Sequence, residues 1–258
     1  MRFPIVFALA ASVAFSICVK TSAFAEEPSP GRQVEQTLQV GDDSISYLLY
    51  APTNYDGASS HRWPLVLFLH GRGESDGPLS VVKKWGLPYF IDHGVNFPYL
   101  VASPQCPKSP KAWNKPEEQA LLVALLDHLT SSLKVDEDRI YLTGLSMGGY
   151  GSWRLAADHP DRFAAVVPIC GGGDPKDAAK LKNLPIWAWH GLADPTVPVK
   201  RSIEMVDAIK AAGSTTVRLT TLEGIGHPSW QAAYASPDLY KWLDDQSSSK
   251  NRARAQSQ

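Results

Sequence analysis

Three side chains in the order Ser146, Asp194 and His227 have the types and placement that nucleophilic catalysis requires. The serine lies in Gly144-Leu145-Ser146-Met147-Gly148-Gly149, a G-x-S-x-G pattern. Arg139–Thr143 before it reads as a strand and Met147–His159 after it as a helix, the context that gives this pattern meaning. A turn that tight leaves no room for a Cβ two positions either side of the serine, hence the glycines, and it holds the hydroxyl exposed on a strained main chain. A serine hydroxyl is a weak nucleophile near neutral pH. It needs an imidazole to take its proton and a carboxylate to hold that ring in the right tautomer.

Of the seven histidines only His227, on Glu223-Gly224-Ile225-Gly226-His227, follows the last expected strand, and it is the expected base. Asp194 in Trp189-His190-Gly191-Leu192-Ala193-Asp194 is the expected acid, with Asp174 after Cys170-Gly171-Gly172-Gly173 as the alternative. Either aspartate also suits a helix or turn cap. The oxygen that becomes negative during acyl transfer needs two main-chain N–H donors. Met147 supplies one and Arg72, in His70-Gly71-Arg72-Gly73-Glu74, the other, while Glu74 is expected to prop its loop. Trp113 and Trp230 lie on loops near the expected site, where either stacking on a substrate ring or burial would suit them.

Other chemistries lack their residues. Thr143-Gly144-x-x-x-Gly148 resembles the opening of short-chain dehydrogenases, but position 150 is tyrosine, the motif lies mid-chain and no Tyr-x-x-x-Lys occurs. No G-x-G-x-x-G or G-x-x-x-x-G-K is present for a nucleotide, and no C-x-x-C or H-E-x-x-H for a metal. Neither an organic cofactor nor a resident metal is expected.

The elements that position these residues alternate between strand and helix. Gln33–Val40 and Ile45–Tyr50 read as strands around Gly41-Asp42-Asp43, followed by strands at Pro64–His70 and Tyr99–Ser103. Glu117–Leu133 carries leucines at helical spacing. Beyond the serine come strands Ala164–Ile169, Ile186–Trp189 and Val217–Leu222, a helix Val199–Ala212, and a last helix before Asp245. Such alternation predicts an α/β fold with a mostly parallel central sheet flanked by helices on both faces. Chemistry then gathers at the carboxyl ends of the strands.

Residues 1–25 read as a cleavable export signal, with Arg2, the apolar run Ile5–Val19 and Ala23-Phe24-Ala25. The apolar run is too short for a stable membrane anchor. Residues 26–245 form one expected domain, and residues 246–258, with only alanines as apolar side chains, are expected to be a disordered basic tail. The whole chain of 258 residues is almost neutral. Two basic residues in the leader and three in the tail leave 20 basic against 26 acidic in the domain, a formal charge of −6. That balance disfavours nucleic acid and other anionic polymers as partners and suits a neutral substrate. Cys106 and Cys170 are not expected to pair, since two strands should separate them.

Together these motifs resemble the α/β-hydrolase esterases, in the family's order. Pro104-Gln105-Cys106-Pro107, Trp113 and Pro168-Ile169-Cys170-Gly171-Gly172-Gly173-Asp174 are similar to a secreted "predicted peptidase" or phospholipase/carboxylesterase group related to feruloyl esterases and polyhydroxybutyrate depolymerases. The resemblance implies the α/β-hydrolase fold with no large lid, and Ser146, Asp194 and His227 as a triad. It further implies a secreted or periplasmic serine carboxylesterase working through an acyl-enzyme on small or polymer-linked esters. Alternatives are a feruloyl or acetyl-xylan esterase, a polyester depolymerase, a serine peptidase, or a catalytically silent binding protein on the same fold.

Overall fold

A computed structural model describes residues 28–107 and 111–256. The export signal lies outside them. Eight strands form one sheet: β1 (Gln33–Val40), β2 (Asp43–Tyr50), β3 (Trp63–Leu69), β4 (Leu100–Pro104), β5 (Val135–Leu145), β6 (Ala165–Ile169), β7 (Ile186–Gly191) and β8 (Val217–Leu222). Their order is β1-β2-β4-β3-β5-β6-β7-β8. β1 and β2 pair antiparallel, β2 joins β4 antiparallel, and every pairing from β4 to β8 is parallel.

The period of two along the central strands divides the interior into two layers. Leu65, Leu67 and Leu69 of β3 face a core shared with Ile140 and Leu142 of β5, whereas Val66 and Phe68 face the opposite core with Tyr141. Buried on both faces, these strands read as nearly continuous apolar runs. Helices α2 (Pro116–Ser132), α3 (Met147–Asp158), α4 (Ala178–Leu181) and α5 (Lys200–Ala211) cover the first layer. Leu122, Leu125, Leu126 and Leu129 recur on one side of α2, which Pro116 starts at a position where its missing N–H costs no bond. Helices α1 (Gly86–Asp92), α6 (Trp230–Ala235) and α7 (Pro237–Asp244) cover the second.

Two expectations are corrected. The single last helix is two, α6 and α7, broken where Ser236 turns extended ahead of Pro237. The expected disordered tail is instead a helix, α8 (Ser248–Gln256). It docks through polar groups: Asn251 Nδ2 donates to the Ala164 carbonyl at 3.0 Å, and Arg252 pairs with Asp138 at 3.0 Å. Counting apolar side chains misses such docking, and the Ala, Arg, Lys and Gln content is compatible with a helix. Cys106 and Cys170 are both free and buried. Among the described residues no helix is long and apolar enough to cross a membrane.

Candidate active site

Ser146 sits between β5 and α3 with φ 54° and ψ −113°, a conformation that L-residues rarely adopt. Close packing holds it there. A Cβ on Gly148 would come within 1.9 Å of the Leu69 carbonyl oxygen, and one on Gly144 within 2.5 Å of the Gly148 oxygen. The glycine requirement read from the motif thus has a specific steric cause. The Ser146 N–H also donates to the Ile169 carbonyl at 2.9 Å, tying the turn to β6.

Ser146 Oγ lies 2.9 Å from His227 Nε2, and His227 Nδ1 lies 2.7 Å from Asp194 Oδ2. With Nδ1 protonated and donating to the carboxylate, Nε2 is free to accept the serine proton. The loops after β7 and β8 are joined to make this possible. Leu192 N–H donates to Leu222 O and Ala193 N–H to Ile225 O, each at 3.0 Å. Gly191 allows the approach, since a Cβ there would stand 2.2 Å from the Gly226 oxygen. Asp174, the alternative acid, is exposed and accepts from Lys176 N–H as the cap of a short 3-10 turn.

Asp194 is buried, which opposes its charge. Hydrogen bonds from His227 and from the Val197 and Thr196 N–H groups outweigh that penalty and hold its pKa below the usual carboxylate value. His190 stands beside it with Nε2 3.3 Å from Asp194 Oδ2 and 2.9 Å from the Val197 carbonyl. Burial lowers its pKa, consistent with a neutral ring.

Arg72 and Met147 both begin helical segments, so their N–H groups have no carbonyl one turn earlier to bond. Their loops meet at the serine: a Cβ built on Gly71 would lie 3.7 Å from Ser146 Cβ. His70 holds the Arg72 loop. Its Nδ1–H donates to Gly71 O at 2.6 Å, and its Nε2 accepts from Cys106 N–H at 2.9 Å. Burial drives its pKa down to about 4, so the ring is neutral, the state these two bonds need. Glu74 is buried beneath the same loop, its Oε2 3.2 Å from where a Gly71 Cβ would be. Burial raises its pKa despite nearby main-chain N–H groups and Lys84.

The two tryptophans separate. Trp113 is 1% exposed, with Nε1 donating to His70 O at 3.1 Å and its Cβ packed where a side chain on Gly151 would stand. It supports the His70 loop and is not a substrate-stacking surface. Trp230 meets the His227 ring edge-on at 5.4 Å between centroids. Its other neighbour is Trp85 at 5.9 Å, a partly buried residue that no sequence motif singled out.

Fold and constellation together define an α/β protein with a serine-hydrolase arrangement at the carboxyl edge of its sheet. Residues 64–210 match the alpha/beta hydrolase fold family, more than half of the chain, and the protein belongs to that family. It is 28% identical over 193 residues to a probable feruloyl esterase C of Aspergillus terreus, covering 72% of this chain and 69% of that protein. It is 34% identical over 143 residues to the putative esterase NocK of Nocardia uniformis, covering 52% and 41% respectively. A crystal structure of a thermostable esterase superposes with a TM-score of 0.71 at 32% identity, over 83% of this chain; the matched part is 63% of that chain.

Proposed function

We propose that the protein is a serine carboxylesterase using Ser146, His227 and Asp194. The observation that carries this is the continuous relay from Ser146 Oγ through His227 to Asp194, at 2.9 and 2.7 Å. Ser146 Oγ attacks the ester carbonyl while His227 Nε2 takes its proton, and Asp194 stabilises the imidazolium that forms. The Arg72 and Met147 N–H groups receive the oxyanion. His227 returns the proton to the departing alcohol, leaving an acyl-enzyme that a water molecule, activated by the same histidine, hydrolyses. Apart from that water, each step is carried by a protein group.

The esterase relatives favour neutral carboxylic esters, and the formal charge of residues 26–258, −3 once the docked α8 is counted, disfavours anionic polymers. Trp85, half-buried and edge-on to the buried Trp230 that meets His227, supports aromatic acyl groups of the hydroxycinnamate kind. The leader motif at residues 1–25 supports export, with cleavage after Ala25.

An activity-based fluorophosphonate is expected to label the wild type and spare Ser146→Ala. p-Nitrophenyl acetate and methyl ferulate should be turned over and peptide anilides should not. Absence of labelling of either form would reject the enzyme; cleavage of anilides in preference to esters would make it a peptidase.

A further inference from the structure

Beneath the His227–Asp194 pair lies a thiol that ester hydrolysis leaves unused. Cys170 follows β6 with a positive φ of 39° and is fully buried, its N–H fixed to the Trp189 carbonyl at 2.9 Å. Its Sγ, an oxygen of Asp194 and a ring nitrogen of His227 all lie within 4.8 Å of one another. The Ser229 hydroxyl faces the same thiol, is fully buried, and makes no hydrogen bond of ordinary geometry. Ser229 thus adds an under-used oxygen to a cluster of sulfur, nitrogen and carboxylate donors.

That donor set is the one borderline-soft divalent ions take, zinc and cadmium foremost. Metal–ligand bonds of about 2.0–2.3 Å place tetrahedral ligands roughly 3.5 Å apart. Side-chain shifts of about 1 Å would therefore close the cluster, and the partly exposed His227 follows a loop with glycines at 224 and 226.

We propose that Cys170, Asp194 and His227 form an inhibitory site for zinc-class divalent cations, directly below the serine. The ion enters between His227 Nδ1 and Asp194 Oδ2. The Cys170 thiol releases its proton to solvent, the Nδ1 proton passes to Nε2, and the ion accepts electron pairs from sulfur, Nδ1 and a carboxylate oxygen. No oxidation state changes. With a hydrogen on Nε2, the imidazole no longer accepts the Ser146 proton, the same defect as a wrong tautomer. The inhibitory consequence rests on the esterase reading above; the binding itself does not.

The test is a titration of the full chain with cadmium chloride, followed by the ultraviolet thiolate-to-cadmium charge-transfer band. Wild type, Cys106→Ala and Ser146→Ala should all develop the band at one equivalent, and Cys170→Ala should not. Zinc should abolish wild-type esterase activity reversibly, a chelator restoring it, and Cys170→Ala should need at least tenfold more zinc for half-inhibition. If Cys170→Ala does not fold, His227→Ala must bind cadmium at least tenfold more weakly than wild type. No band in wild type, an undiminished band in Cys170→Ala, equal zinc sensitivity of the two, or unweakened binding by His227→Ala overturns the site. A band without loss of activity overturns the inhibitory role. A band in a protein that hydrolyses no ester would sink the esterase reading and leave the site standing.

Discussion

On one side of Ser146 the loop after β3 is fastened from within: both His70 ring nitrogens are bonded, Trp113 caps its carbonyl, and Glu74 fills the space beneath. On the other side the loop after β8 lies open, and the His227 side chain keeps 19% of its surface exposed. Its main chain is joined to its neighbour by single hydrogen bonds at Leu192 and Ala193. In the proposed mechanism the oxyanion side has to present two N–H groups at fixed positions, and buried, hydrogen-bonded polar groups suit that demand. The base side has to let a ring exchange protons with a substrate, so it tolerates solvent. Damage to the first should show in stability and activity together, damage to the second in activity alone.

The sharpest way to break that contrast is His227→Ala. Ester turnover is expected to fall by about 10⁴-fold or more, while the melting temperature shifts by no more than about 2 °C because little packing is lost. A large drop in melting temperature, read by calorimetry, would mean that the open loop is structural after all.

Next in size is His70→Ala. It leaves the Gly71 carbonyl and the Cys106 N–H without their partner, with an expected cost of about 2–4 kcal/mol and a fall in kcat of about 10²-fold as the Arg72 N–H loses its fixed position. The pH dependence follows from the same ring. Its pKa falls from an ordinary 6.5 to about 4 in the folded protein. Between those values the unfolded chain binds the extra proton, so the stability from a neutral His70 is complete above pH 6.5 and is lost as pH falls toward 4. The loss is up to about 3 kcal/mol. Urea titrations across this range should show the decline in wild type and a shallower one in His70→Ala; parallel curves would assign the slope to other groups.

The smallest effect sharpens the role of Trp113. Trp113→Phe removes one hydrogen bond to the His70 carbonyl and should cost about 1–2 kcal/mol with KM unchanged. A severalfold rise in KM for aromatic esters would return that residue to the substrate surface.

What could be read in advance follows a physical divide. Ser146, His227 and Asp194 were legible because each occupies a strand-to-loop position whose chemistry and glycine neighbours leave few alternatives. The mostly parallel sheet, covered by helices on both faces, followed from the alternation of apolar strands with helices. Trp113 was left open between stacking and burial because a sequence places a residue on a loop without giving the direction of its side chain. Trp85 was invisible because the segment between β3 and β4 carries no strong period. Helix α8 escaped because it is held by Asn251 and Arg252 and buries almost nothing apolar.

The backbone at Ser146 has one more consequence. A conformation of φ 54° and ψ −113° on a residue with a Cβ costs on the order of 1–3 kcal/mol, and glycine would occupy it with less penalty. Any campaign that selected this protein for heat resistance alone, without watching turnover, would be drawn toward the very residue proposed as its nucleophile. Durability and activity compete here at a single residue, and a screen must score both to keep either.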